Sequence, residues 1–331
     1  MMKMQSLSQF QENFRGYLEA DRLPGAPAGL YLPADYLMKL GGKRMRPVLA
    51  LIGCGLYQDD TQRALPLAYA IELFHNFTLA HDDIMDAAPL RRGKPSVHAK
   101  YNVNQAILTG DVMLIHAYRY LCQTQRTEQL PAMLELFNRT AVEVCEGQQL
   151  DMEFETRTDV ELPEYLKMIE WKTAVLLGCA LQLGGMEGGA PHNDWAHLYA
   201  LGINLGLAFQ IQDDLLDAYG DPDKVGKKKG GDIIQGKKTY LVLRAYELIE
   251  AIERAELDRL LAIPILRKAD EKHKLSAVMS LFDRYSIREE AARAQKAYEQ
   301  KIGYHLDQIE VPDARKSAMR ELIAYLVKRE N

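Results

Sequence analysis

Apolar residues recur along this chain at three- and four-residue intervals, with little of the strict alternation that marks strands. Leu67, Ala70, Ile71, Phe74 and Phe77 follow that spacing, and Leu73 and Leu79 widen the belt. The same pattern predicts helices over roughly 67–85, 103–124, 130–151, 163–183, 194–219, 239–262 and 286–307, with an apolar helix from Val48. Asn193-Asp194 has the side chains of an amino-terminal cap, and Pro312-Asp313 those that open a closing helix. Breaks are expected at 24–29, 88–98, 184–192 and 220–236, where Gly and Pro gather. None is long or polar enough for an interdomain linker. The reading is one all-α domain spanning residues 1–331.

Composition narrows the function. At 331 residues the chain can bury a sizeable core, and 47% hydrophobic with 26% charged residues is ordinary for a globular protein. A net charge of −5 gives no basic field for nucleic acid. Anionic substrates must therefore be caught by local basic clusters. Residues 1–12 hold one Lys and no long apolar run, so neither a signal peptide nor a membrane span is expected there. Cys54, Cys122, Cys145 and Cys179 lack CxxC spacing and sit in helix-like stretches, which predicts buried free thiols and a cytoplasmic location.

One acidic pattern occurs twice, as Asp82-Asp83-Ile84-Met85-Asp86 and as Asp213-Asp214-Leu215-Leu216-Asp217. On a helix, the first and last Asp of each pattern share one face, about one turn apart. Two such faces opposed would make an oxygen-only cage suited to Mg²⁺, which prefers carboxylates, water and substrate phosphates. Both patterns are expected at helix carboxyl ends, where carboxylates oppose the helix dipole. A bound cation would offset that local cost, and locally unfavourable choices mark functional sites.

Basic, Gly-containing sequence follows each pattern, Leu90-Arg91-Arg92-Gly93-Lys94-Pro95 and Gly226-Lys227-Lys228-Lys229-Gly230-Gly231-Asp232. A third such element, Leu40-Gly41-Gly42-Lys43-Arg44-Met45-Arg46-Pro47, precedes the helix from Val48. Gly lets the backbone approach a ligand, while Lys43 and Arg46 offer a point charge and a rigid fork for phosphate oxygens. Carboxylates followed by cations, twice over, read as metal plus polyphosphate. His75 lies about two turns before Asp82. Lys172 lies mid-helix, Gln148 and Asp151 put polar groups on another apolar helix, and Gln210 leads into the second pattern. No zinc spacing and no Ser or Cys nucleophile motif is visible.

Taken together, the stretches GGKRxRP from Gly41, HDDIMD, LRRGKP, TGD from Thr109, GQxxD from Gly147, WKTA, FQIQDDLLD and GKxxGGD resemble the trans-isoprenyl diphosphate synthases. The resemblance covers nearly the whole chain. It implies an all-α bundle of about ten core helices around a central cavity, and usually a homodimer. It also implies head-to-tail condensation of isopentenyl diphosphate with an allylic diphosphate (dimethylallyl, geranyl or farnesyl).

Residue by residue, the resemblance makes Asp82, Asp86 and Asp213 direct Mg²⁺ ligands, with about three ions expected and Mn²⁺ able to substitute. Asp83, Asp214 and Asp217 would complete the inner or water-mediated shell. Arg91, Lys172 and Lys227, with Lys237 nearby, match residues holding the allylic diphosphate. Gly42, Lys43, Arg46, His75 and Arg92 match the isopentenyl diphosphate site. Thr173 and Gln210 match groups beside the reacting carbons, and Gln148 and Asp151 a supporting polar shell. The segment after Lys227 is one residue longer than in animal farnesyl diphosphate synthases, which leaves the partners of Lys228 and Lys229 open. At the carboxyl end, Lys328-Arg329 matches only loosely.

Chain length has its own determinants. Thr78 points nearly the same way as Asp82 and leaves room there. On an ideal wheel Phe74 lies about 80° aside and Phe77 further round, which favours Phe74 as the floor. The family pattern, an aromatic five residues before the first Asp with a small neighbour, favours Phe77 and a geranylgeranyl (C20) product, with farnesyl (C15) next. A terpene cyclase would carry an Asn/Ser/Glu-type metal motif in place of Asp213–Asp217. A non-catalytic partner subunit would lack Asp residues that this chain keeps.

Overall fold

The computed structural model describes residues 5–20, 23–221 and 229–327. Lys227, Lys228, Lys328 and Arg329 fall outside them. Among the described residues the fold is all-α, as expected, apart from one two-stranded hairpin, Leu90–Arg91 with Lys94–Pro95. None of their helices is long and apolar enough to cross a membrane. Two compact units are distinguished. The first comprises Met1–Asn138, Leu176–Tyr199 and Gln308–Leu322, the second Arg139–Val175, Ala200–Asp307 and Ile323–Asn331.

In the first unit, the helix Leu65–Met85 is buried on every side through residues 67–74. Only a helix enclosed by others can be apolar all round. Its carboxyl end carries the first acidic motif. The helix Met45–Tyr57 packs unusually close to the helix Val175–Gly188. A Cβ added at Gly184 would run into the Ala50 backbone, and one at Gly188 would meet the Cys54 carbonyl. This corrects the break expected from residue 184: the helix continues to Gly188 because its glycines serve close packing. Tertiary contact outweighs their low helix propensity.

In the second unit a separate core gathers Phe154, Tyr165, Ile211, Tyr240, Leu257 and Phe282 among others. Here Glu161 and Glu164 form a capping box, with Pro163 in the first turn, and start the helix Leu162–Ile169. That helix passes into one π-helical stretch, Glu170–Ala174, before Val175.

Three more expectations are corrected. The helix expected over 239–262 is two, Tyr240–Leu248 and Ala251–Leu261, because Ile249 turns extended and joins the core. The helix His192–Tyr219 begins before Asn193-Asp194, so Asp194 lies in its first turn and accepts from the Tyr57 hydroxyl at 2.7 Å. Cys54 and Cys179 are buried as expected, whereas Cys122 and Cys145 are exposed. Helical periodicity places a residue on a helix without saying that its face is covered.

Candidate active site

The first acidic motif closes its helix, with Asp86 as the cap residue. Its carboxylates divide by exposure. The Asp82 side chain is partly exposed, Asp86 is exposed, and the Asp83 side chain is fully buried. Arg91 donates to Asp83 through Nε at 2.9 Å and Nη2 at 2.5 Å, and to Asp82 at 3.3 Å. Burial alone would lower the Arg91 pKa, but the two carboxylates more than reverse this and raise it. The other Asp83 oxygen is buried without a hydrogen-bond partner.

Arg91 is aimed by the hairpin, which sequence periodicity did not reveal. Arg91 pairs with Lys94 across a two-residue loop, Arg92-Gly93, whose φ angles of 54° and 74° are those of a type I′ turn. The next residue points elsewhere. Arg92 donates to the Gly41 carbonyl, and its guanidinium lies where a Cβ on Gly42 would have to go. Gly42, at φ +116°, is thus glycine for two reasons.

The loop 41–44 is anchored from below. Arg44 adopts a left-handed conformation and donates to Met38 O and to the buried Glu72 carboxylate, which also accepts from Asn76 at 2.8 Å. That leaves Lys43 exposed above the loop. Arg46 Nη1 lies 3.2 Å from His75 Nε2, so the expected pair is brought together. A guanidinium can only donate, which assigns Nε2 as acceptor and the ring proton to Nδ1. Burial, and then Arg46, Arg92, Arg44 and Arg91, hold His75 well below 6.5 and therefore neutral. Burial also brings Arg46 down to about 10, still a cation at neutral pH. Among the described residues neither Arg46 nor Arg92 meets a carboxylate. Such a cluster is chemically suited to a polyanion.

In the second unit, Asp213, Asp214 and Asp217 lie near the carboxyl end of the helix His192–Tyr219. Asp213 and Asp217 are half-buried and Asp214 is buried. Asp214 accepts from Tyr165 OH at 2.7 Å, the Tyr240 backbone N–H at 3.0 Å and Gln210 Nε2 at 3.2 Å. Burial pushes its carboxyl up to about 7 although all three hydrogen bonds favour the charged form. Asp217 Oδ2 accepts from the Asp232 N–H at 3.1 Å, and Lys237 Nζ lies 3.7 Å from Asp232. Lys172 and Thr173 lie on the π-helical stretch, not on regular helix, and Lys172 Nζ meets Asp151 at 2.5 Å. A Cβ on Gly147 would collide with the Lys172 backbone, so the GQxxD glycine lets the helix Leu130–Thr156 touch the π-helical stretch. Such stretches often sit at functional sites. Gln148 Nε2 is buried without a partner.

Sequence reasoning passed over Glu72, Tyr165 and Tyr240, which hold charged groups, and gave Asp232 no role of its own. Only Asp232 had a visible signal, the GGD stretch. Among the described residues no three or more His, Cys, Asp or Glu side chains gather tightly enough to hold a metal by themselves.

Comparison with known proteins agrees with this chemistry. The polyprenyl synthetase family model matches residues 27–280. The short chain isoprenyl diphosphate synthase of Methanothermobacter thermautotrophicus is 38% identical over 306 residues, 92% of each chain. The geranylgeranyl diphosphate synthase of Sulfolobus acidocaldarius is 36% identical over 304 residues, 91% of each chain. A crystal structure of a geranylgeranyl pyrophosphate synthase superposes with a TM-score of 0.93 at 42% identity, covering 99% of this chain and all of that one. The chain belongs to the polyprenyl synthetase family.

Proposed function

We propose that this protein is a Mg²⁺-dependent trans-prenyltransferase that condenses isopentenyl diphosphate with allylic diphosphates, ending at the C20 diphosphate. The observation that carries the reading is the occurrence of two i,i+4 carboxylate motifs in one chain with Arg46 and Arg92, neither of which meets a carboxylate among the described residues. Relatives covering nine-tenths of the chain are named as short-chain and geranylgeranyl synthases. In this reading residues 1–331 work as one synthase domain acting in the cytoplasm.

The donor set fits Mg²⁺: Asp82, Asp86 and Asp213 offer oxygen only, and a hard cation completes its shell with water and substrate phosphate. When bound, the ions neutralise charge that develops on the leaving diphosphate. Arg91 and Lys172, with Lys227 and Lys237, hold the allylic diphosphate and stabilise the same charge. Lys43, Arg46, Arg92 and neutral His75 hold isopentenyl diphosphate, whose double bond attacks the allylic carbon as its C–O bond breaks. Thr173 and Gln210 present dipoles to the cationic carbon. The new carbon–carbon bond leaves a proton to be lost, and the departing diphosphate is a sufficient base. No protein nucleophile is required, and none is present in the motifs.

Phe77 is the proposed floor of the growing chain. Phe74 is buried against the rings of Phe77 and Phe137 and belongs to the core, whereas Phe77 is half-buried and Thr78 beside it is small. Exposed Leu108 and Ile115, two turns apart on the helix Val103–Leu121, support a homodimer. Incubation with Mg²⁺, dimethylallyl diphosphate and isopentenyl diphosphate, followed by chromatography of dephosphorylated products, tests the reading. C20 from wild type and longer chains from Phe77→Ala are expected. A C15 end point or C30 and beyond would overturn the length assignment, and no chain growth would overturn the reaction.

A further inference from the structure

Lys274 is almost fully buried, 2% exposed, on the helix Lys268–Arg284. Its Nζ donates to the Ile234 carbonyl at 3.0 Å and to the Leu261 carbonyl at 2.6 Å. These carbonyls close the short helix Gly231–Gln235 and the helix Ala251–Leu261. Carbonyls in a helix's last turn lack an intrahelical partner and carry partial negative charge. One buried cation therefore serves two helix ends. The following residue reaches the other end of the same segment: Leu275 occupies the space beside Gly230, where a Cβ would strike it. The helix Lys268–Arg284 thus grips residues 230–236 at both ends.

That segment meets the second acidic motif. The Gly230 N–H donates to the Asp217 carbonyl at 2.6 Å, and the Asp232 N–H to Asp217 Oδ2 at 3.1 Å. The Lys237 N–H in turn donates to the Asp232 carbonyl at 2.9 Å. We propose that Lys274 is a positioning residue: from a place remote in sequence, it fixes the turn that aims the Asp217 carboxylate. A lysine is costly to bury, and an apolar side chain of like length would fill the space at lower cost. What the apolar side chain lacks is any means of holding two carbonyls in one geometry. The inference rests on the proposed Mg²⁺ site, in which the resemblance makes Asp217 a member of the inner or water-mediated shell around the ions.

The test uses Lys274→Met, with Leu275→Ala as a milder second variant and Arg244→Met as a control. Arg244 pairs with Glu247 and Glu290 in the same unit. Hydrogen exchange is measured in metal-free protein, so the readout needs no activity. Lys274→Met should speed exchange of the Gly230 and Asp232 amides roughly tenfold or more, with little change over 240–248. Leu275→Ala should act in the same place, more weakly. The half-saturating Mg²⁺ concentration should rise about tenfold or more while kcat at saturating Mg²⁺ changes far less, as for other residues that orient a ligand. Unchanged exchange at 229–237 in both variants would overturn the proposal. So would faster exchange spread evenly through the unit with a matching fall in Tm, or the same local change in Arg244→Met. A wild type without Mg²⁺-dependent condensation would instead overturn the proposed function, and the exchange result would still be readable.

Discussion

The two acidic motifs have the same spacing and lie near the same end of a helix, yet each secures its second Asp by different means. In the first unit Asp83 is answered by a full charge, the Arg91 guanidinium. In the second, Asp214 is answered by neutral donors, Tyr165, Gln210 and a backbone N–H, and burial pushes its carboxyl up to about 7. In both, the outer pair four residues apart is more exposed than the second Asp. The second Asp of one motif thus has positive charge at hand before any ligand arrives, and that of the other is held by neutral donors. The proposed chemistry needs both, a cation beside the leaving diphosphate and carboxylates that do not drift.

The largest effects should come from the outer carboxylates, where the motifs are alike. Asp82→Ala and Asp213→Ala are each expected to lower turnover by about 10³-fold or more with the helical circular dichroism retained. Product formation undiminished in excess chelator would refute the metal reading for both. Arginine and lysine substitutions sharpen the contrast next. Arg46→Ala and Lys43→Ala should raise KM for isopentenyl diphosphate by about tenfold or more, while Arg91→Ala and Lys172→Ala should act on the allylic substrate. Steady-state kinetics with each substrate varied decides it, and an Arg46→Ala defect confined to the allylic substrate would reverse the site assignments.

The inner carboxylates should then part company. Asp83→Asn leaves the Arg91 charge without its main partner, at an expected cost of about 2 kcal/mol, below the figure for fully buried pairs because Arg91 is a quarter exposed. Asp214→Asn keeps an oxygen for Tyr165 and Tyr240, so metal-free stability should change by less than about 1 kcal/mol. Equal losses in urea unfolding would erase the distinction drawn between the motifs.

The smallest expected effect is a pH dependence. His75 is held below its ordinary pKa by burial and then by Arg46, Arg92, Arg44 and Arg91. Below 6.5 the unfolded chain takes up a proton that the folded imidazole refuses, so ligand-free stability falls as pH drops through that window. His75→Gln removes this contribution. Its Tm relative to wild type should therefore rise steadily from pH 7 to pH 5, and a constant difference would show that His75 titrates normally.

Much of this architecture could be read from the chain. The helices of Leu65–Met85 and His192–Tyr219 follow from apolar spacing, and the motifs announce themselves by repetition. What escaped was set by contact rather than local preference. The glycines at 184–188 looked like a break because their partners, Ala50 and Cys54, lie far off in sequence. The π-helical stretch at Glu170–Ala174 shifts register without any residue that signals it. Tyr240 reaches Asp214 through its backbone, which no side-chain pattern can foretell. Cys122 and Cys145 lie in helical pattern but outside the covered faces.

The turn Arg92-Gly93 sets an interval that evolution cannot edit one residue at a time. Because Arg91 sits on the strand and Arg92 in the loop, neighbouring side chains leave for different destinations, one to Asp83 and one to Gly41. Adding or removing a single residue between Arg91 and Lys94 would change the two-residue turn and with it the direction in which Arg92 leaves relative to Arg91. Insertions tolerated elsewhere on the surface should therefore be purged here, and a library of length variants should show a gap at this turn.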